Sequence, residues 1–271
     1  MRFWKKTIIT LAASTALLLG LASSAHAYPG PADDRVKSVA TSWWTYDNVD
    51  SAWTTNFLVS NNARITDLRV VTSSPLRFRW TAVRNTGAYA TGSWWYPSVT
   101  MAQVNTLLTQ NSARLITAVK HSSTLYAVVM VSNTGANAKT WGWCDTDFAG
   151  VGACLGSTNR LTNIVSYAQN RFVVIFVRND EGYGWCWYAG ITRSQINTLC
   201  SGQSVLDIST NPDNTFNVVK VAYDNDGRPM DFSTLGALVT YAVTTPQDRP
   251  LLAVPYNTGG TVRWITSLRH N

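Results

Sequence analysis

Val49–Arg64, VDSAWTTNFLVSNNAR, lies over Val99–Arg114, VTMAQVNTLLTQNSAR, without a gap. Thr192–Leu199, TRSQINTL, repeats the middle of that segment. A stretch that recurs along a chain marks a repeat architecture, in which each unit covers the apolar face of the next. A second anchor is Val83–Gly87, VRNTG. It returns at Val131–Gly135, Val177–Gly182, Ala222–Gly227 and Pro255–Gly259. A third is rich in indoles: SWWY at Ser93–Tyr96, WGWC at Trp141–Cys144 and YGWCWY at Tyr183–Tyr188, decayed to MDF at Met230–Phe232. Ser42–Tyr46, SWWTY, is an isolated copy at the start. Asn85, Asn133, Asn179 and Asn225 fall 46 to 48 residues apart, inside the roughly 20–50 residue period of solenoids and propellers. The step to Asn257 is shorter, and the missing piece corresponds to a helix.

One repeat translates into elements. Arg64, Arg114 and Arg160 each open an Arg-Leu/Ile-x-x-Val strand. Leu76–Arg84, Leu125–Val131, Arg171–Arg178 and Phe216–Tyr223 are second strands, rich in Val, Phe and Tyr. Asn-Thr-Gly and Asn-Asp-Gly between them and the indole strands read as hairpin turns, because Asn, Asp and Gly tolerate positive φ. Thr100 with Gln103, and Thr192 with Gln195, match a capping box that opens a short helix. The expectation is a mainly β chain of about five three-stranded antiparallel units with short interposed helices, the helix degraded in the third and fifth. Paired tryptophans at one place per unit suit an internal aromatic stack.

Composition agrees. The chain is 45% hydrophobic and 14% charged, too apolar to remain a solvated coil, and its 12 Trp against one glutamate, Glu181, exclude an all-helical protein. Arg2, Lys5 and Lys6 precede an apolar run from Ile8 to Leu21, then small residues up to Ala27. Residues 1–27 therefore read as a secretory signal peptide, 28–41 as a leader and 42–271 as the repeat domain. The run is short for a bilayer span, so stable membrane insertion is not expected. The formal charge is +7, and the signal carries three of those charges. No basic block of the nucleic-acid-binding kind follows. The expected compartment is extracellular or periplasmic.

Cys144, Cys154, Cys186 and Cys200 make an even count in an exported chain, which reads as disulfides. Cys144 and Cys186 both follow Gly-Trp, and Cys154 and Cys200 both lie in the next segment. The repeat therefore selects 144–154 and 186–200. Zinc is the rival, but Cys-x-x-Cys spacing is absent.

The motifs Arg-Leu/Ile-x-x-Val, Val-Arg/Ser-Asn-Thr-Gly, Gly-Ser-Trp-Trp-Tyr and Thr-x-x-Gln-x-x-x-Leu-Leu, spread over about residues 42 to 267, resemble a bacterial tandem-repeat family. That family is also found as the tryptophan-rich, non-catalytic amino-terminal domain of polyglycine hydrolases. The resemblance implies a left-handed, corkscrew-like or solenoid-like β array and secretion. In those hydrolases a separate β-lactamase-like domain cuts. Here none of Lys37, Lys120, Lys139 and Lys220 has a Ser three residues before it, so no catalytic residue carries over.

Candidate chemistry is sparse. His121 precedes Ser122 and Ser123 in a turn, and His270 is penultimate, with no nucleophile elbow beside either. Asp145/Asp147 and Asp224/Asp226 are close pairs, and Asp207 is a further acid for a cleft between units. Turn chemistry explains 224–227, and calcium is a weaker reading there. Trp94 and Trp95 are adjacent and must point to opposite faces, one to the core and one outward. Trp141 and Trp143 share a face, as do Trp185 and Trp187. Arg84 and Arg178 precede the turns. These six tryptophans and two arginines are the candidate ligand-binding set, with packing and surface solvation as the competing explanations. No cofactor, metal or catalytic residue is expected, and no oligomeric state is selected. The leading expectation is a secreted, non-enzymatic recognition module for a cell-surface or cell-wall glycan or an extracellular protein. The alternatives are a hydrolase with an acidic site between repeats and an accessory or inhibitory domain for a separately encoded enzyme.

Overall fold

The computed structural model describes residues 39–135, 138–222 and 227–270. The signal peptide, most of the leader and the acidic pair Asp224/Asp226 with Asn225 lie outside the described residues.

Five units follow one another. The first is β1 (Trp43–Val49), α1 (Ser51–Ser60), β2 (Ala63–Ser73) and β3 (Leu76–Arg84). The second is β4 (Ser93–Thr100), α2 (Met101–Gln110), β5 (Ala113–Lys120) and β6 (Leu125–Ser132). The third is β7 (Trp141–Thr146), α3 (Phe148–Leu155), β8 (Asn159–Ala168) and β9 (Arg171–Arg178). The fourth is β10 (Trp185–Ile191), α4 (Arg193–Thr198), β11 (Ser204–Thr210) and β12 (Phe216–Val221). The fifth is β13 (Arg228–Phe232), α5 (Leu235–Thr244), β14 (Asp248–Pro250), β15 (Val254–Thr258) and β16 (Thr261–His270). In the first four the last strand is central, flanked on one side by the indole strand and on the other by the strand that follows the helix. In the fifth, β16 is central and pairs β13, β14 and β15. All pairings are antiparallel.

The units of mainly antiparallel strand with short helices are as the repeat predicts, but their phase is not. The indole strand opens a unit rather than closing one, so Ser42–Tyr46 is no isolated copy but belongs to β1 of the first sheet. The Asn-Thr-Gly segments after β3 and β6 are therefore not hairpins. They carry the chain from one sheet to the next, since β4 pairs β6 and β7 pairs β9. The hairpins that join each following strand to its central strand lie elsewhere, at Ser74-Pro75, His121–Thr124, Gln169-Asn170 and Asn211–Thr215. Asn257–Gly259 does sit in a true hairpin, with Thr258 paired to Thr261 around two positive-φ glycines. Its short step reflects a different place in the unit, not a lost helix.

The third and fifth helices are not degraded. They use other caps: Asp147 accepts from the Gly150 amide at 2.9 Å and Thr234 from the Ala237 amide at 3.0 Å. The capping boxes at Thr100/Gln103 and Thr192/Gln195 are both formed, yet α4 is the shortest helix at six residues.

Packing follows the two-residue period of the central strands. On β6, Ala127 and Val129 join the core of the first unit with Leu68, Phe78 and Trp80. Tyr126, Val128 and Met130 point the other way, against Val173 and Ile175 of the third unit. The same interleaving joins the third unit to the fourth through Leu161, Phe172 and Val219, and the fourth to the fifth through Ile208, Phe216 and Ile265. Burying each such side chain contributes about 1.5–3 kcal/mol, so each of these sheets draws part of its stability from its neighbours.

The ends of the array meet. Thr81 Oγ1 in the first unit donates to the Leu251 carbonyl of the fifth at 2.9 Å. The Arg79 guanidinium lies 4.5 Å from the Trp264 ring centre. Arg249 donates to the Tyr89 hydroxyl at 3.3 Å. Across the middle, Arg69 of β2 reaches Asp207 of β11 at 2.7 Å and touches Asp67 at 3.1 Å. Asp207 also accepts from Asn163 at 2.9 Å and from the Ile164 amide at 2.6 Å. The five sheets thus form a closed ring with a buried polar knot on its axis.

Candidate functional site

The unit-to-unit loops are fixed by the repeated asparagines. Asn85 donates to the Thr91 carbonyl and accepts from the Thr91 amide, both at 3.0 Å. Asn133 does the same with Lys139 at 3.1 and 2.8 Å, and Asn179 donates to the Tyr183 carbonyl at 2.9 Å. These clamps set where each indole strand begins. Trp95, Trp143 and Trp187 then fall at one register position, opposite Val129, Ile175 and Val219. Each leans on the preceding unit: Trp95 on Phe78 at 5.4 Å, Trp143 on Tyr126 at 5.7 Å, Trp187 on Phe148 at 5.2 Å. They wedge the seams.

Trp94 and Trp95 do face opposite ways, one into the core shared by units two and three and the other into that shared by units one and two. Neither is fully exposed or fully buried, so the split into one core and one outward indole is corrected: both are half-buried. Trp141 and Trp143 pack on one cluster, and Trp185 and Trp187 on another, as their spacing predicts.

Of the eight candidate residues, Trp94 and Trp95 line one cavity together. It is a groove of about 410 Å³ along the seam of units one and two. One wall is α1 and the start of β2, with Thr55, Val59 and Asn62; the other is Ser93, Trp94 and Trp95. The Trp95 indole N–H donates to Thr55 Oγ1 at 3.2 Å and ties the walls together. Arg84 is exposed at the end of β3 outside this groove, and Arg178 is exposed and ion-paired with Asp180. The contribution of α1 was missed in the sequence. The signal was a departure from the repeat: α1 has Val59 where α2 has Thr109, and Val59 is 78% exposed.

Comparison of the chain with protein-family models and with curated protein sequences finds no match.

Both disulfides are formed as expected, Cys144–Cys154 and Cys186–Cys200, and no cysteine is free among the described residues. The equivalence behind that expectation is off by two residues. Cys144 lies opposite Val174, where the other units carry Tyr46, Tyr96 and Tyr188; Cys186 lies opposite Lys220, where they carry Trp44 and Trp94. A shift of two keeps a strand side chain on the same face, so either position reaches the helix end. Two disulfides fit an oxidising compartment, and no helix among the described residues is long and apolar enough to cross a membrane.

The acids named for a hydrolytic cleft are engaged separately. Asp147 caps α3, and Asp207 is buried in the axial knot. Asp145 accepts from Lys120 at 2.7 Å, Tyr126 at 2.8 Å and Arg171 at 3.1 Å, and from Tyr167. Burial pushes its carboxyl up, but the hydrogen bonds from Lys120, Tyr167 and Tyr126 outweigh that and hold it below the ordinary value. Burial, then the bond to Asp145, pushes the Tyr126 phenol up to about 12. Burial pushes the His121 ring below the ordinary histidine value. His270 faces Asp248 at 3.2 Å.

Proposed function

We propose that this chain is a secreted, non-enzymatic recognition module that holds a cell-surface or cell-wall glycan in the seam groove of units one and two. The observation that carries the reading is the groove itself. Trp95, tied to Thr55, and Trp94, whose ring turns toward the next unit, both line it, together with the Thr55 hydroxyl and the Asn62 amide. An indole face offers dispersion and CH–π contact to a sugar ring, while hydroxyls and amides exchange hydrogen bonds with its rim. The disulfides support export. The resemblance to a non-catalytic repeat domain supports binding without chemistry, as does the engagement of Asp145, Asp147 and Asp207 in separate contacts.

The test is retention of the mature protein on insoluble peptidoglycan, chitin and cellulose. Trp94→Ala and Val59→Asp, the second on an exposed helix face, should each cut retention about tenfold while the melting transition persists. Equal retention of wild type and both variants would reject the groove. Absence of retention together with a stable complex with a co-secreted enzyme would replace the reading with an accessory role.

A further inference from the structure

The ring has a second cavity that the seam groove does not use. At one register position each of the five units contributes a residue: Arg69, Val119, Val165, Ser209 and Val254, opposite Arg79, Ala127, Val173, Asn217 and Ile265 on the central strands. All five line a single cavity of about 360 Å³. One residue further along four of the five strands, Val70, Ser166, Thr210 and Pro255 line it too. A cavity lined from every unit can only lie on the ring axis. Arg69, reaching across to Asp207, closes its floor. Outward it is continuous with a wider space of about 640 Å³, which shares Val70, Val71, Val119 and Ser166 and adds Lys120, His121, Ser122, Ser123 and Tyr167 toward the hairpin ends.

We propose that this axial funnel receives the terminal sugar of a neutral glycan chain. A cavity on the ring axis, walled by every unit, admits the end of a chain more readily than its middle. Its walls combine five valines with the hydroxyls of Ser166, Ser209 and Thr210 and the ion-paired guanidiniums of Arg69 and Arg79, a mixture of apolar and polar groups that suits the faces and rim of a pyranose ring. Its charge selects against the other common chain end. A peptide terminus brings an ammonium or a carboxylate, and burying either without a partner is costly. The cations around the funnel are already committed: Arg69 to Asp67 and Asp207, Arg79 to Asp47, Lys120 and Arg171 to Asp145. A neutral sugar end asks for none of them. The hairpin ends are mainly Ser, Thr, Asn and Gly, with Asp213 hydrogen-bonded to Thr215 and Gln169, along the path of the following sugars.

The experiment is titration calorimetry of the disulfide-intact protein with cellohexaose, chitohexaose, xylohexaose and maltohexaose. At least one should bind. Its monosaccharide should compete. Thr210→Trp, which places an indole in the funnel from a half-buried rim position, should weaken that binding at least tenfold, and Ser166→Leu should do the same if the first variant melts early. Failure of all four sugars to bind the folded protein overturns the proposal. So does unchanged affinity in both rim variants, or tighter binding of trialanine than of any sugar. Affinity lost in Trp94→Ala but kept in both rim variants overturns the funnel while leaving the seam groove as the site.

Discussion

Asn133 does what a backbone ladder would otherwise have to do. The loop after β6 has no strand to pair with, so its polar groups need another partner. One side-chain amide supplies both a donor and an acceptor to Lys139. Asn133→Ala should destabilise the protein by about 1–3 kcal/mol, since it leaves those groups unmatched. For a domain of this size that lowers the melting temperature by about 2–4 °C per kcal/mol. Asn133→Asp keeps the acceptor for the Lys139 amide and loses the donor, so its melting temperature should fall between wild type and Asn133→Ala. Asp145 makes a different residue-scale prediction. Its folded pKa is depressed, so its contribution is complete above the unfolded value of about 3.9 and fades as pH falls through the lower folded value. Asp145→Asn should melt earlier than wild type at pH 7. The gap should close as pH is lowered below about 3.9, measured by thermal melts across the acid range. A constant gap from pH 7 to 2 would show that the charge of Asp145 is irrelevant to the seam.

Elements were legible where their own residues specify them. The capping boxes located α2 and α4, and the indole motifs located β4, β7 and β10, because caps and period-two patterns are local. The phase of the unit was not legible. Nothing near Trp94 says that β4 pairs β6 more than thirty residues later rather than β3 just behind it, and an Asn-Thr-Gly looks the same in a hairpin and in a clamped linker. The helix α3 was hidden by Gly150 and Gly152, each worth about 1 kcal/mol against a helix; Asp147 and the Cys144–Cys154 bond hold it instead. The groove was half legible: its indoles were named, while its other wall came from α1, whose exposed Val59 shows only once α1 is placed against β4. The disulfides carry the element-scale prediction. Each closes a short loop, with separations of 10 and 14 residues, and should contribute about 2–3 kcal/mol. The double variant Cys144→Ser with Cys154→Ser should lose that amount in urea unfolding, with amide exchange in α3 rising first. Thiol titration of the intact protein should find none reactive before reduction and four after.

For the whole molecule, closure of the ring decides how it unfolds. In an open array each unit depends only on its neighbours, and the ends fray independently. Here the fifth unit lies against the first through Thr81, Arg79 and Tyr89, and Arg69 ties the first to the fourth. Every sheet therefore has two neighbours, and loss of one seam removes support from sheets far away in sequence. Trp264 is the residue on which to test this. It is 9% exposed, packs with Phe232 and Leu238 in the fifth unit, and carries the Arg79 guanidinium of the first on its face. Trp264→Ala should cost about 3–5 kcal/mol. In a closed ring, amides of β2 and β3 should lose protection together with those of β16, and the melt should stay a single transition at a lower temperature. In an open array, exchange would rise in the fifth unit alone and the first would keep its protection. Hydrogen exchange resolved by mass spectrometry separates the two outcomes, and because the funnel exists only if the ring is closed, the second outcome would remove that cavity along with the closure.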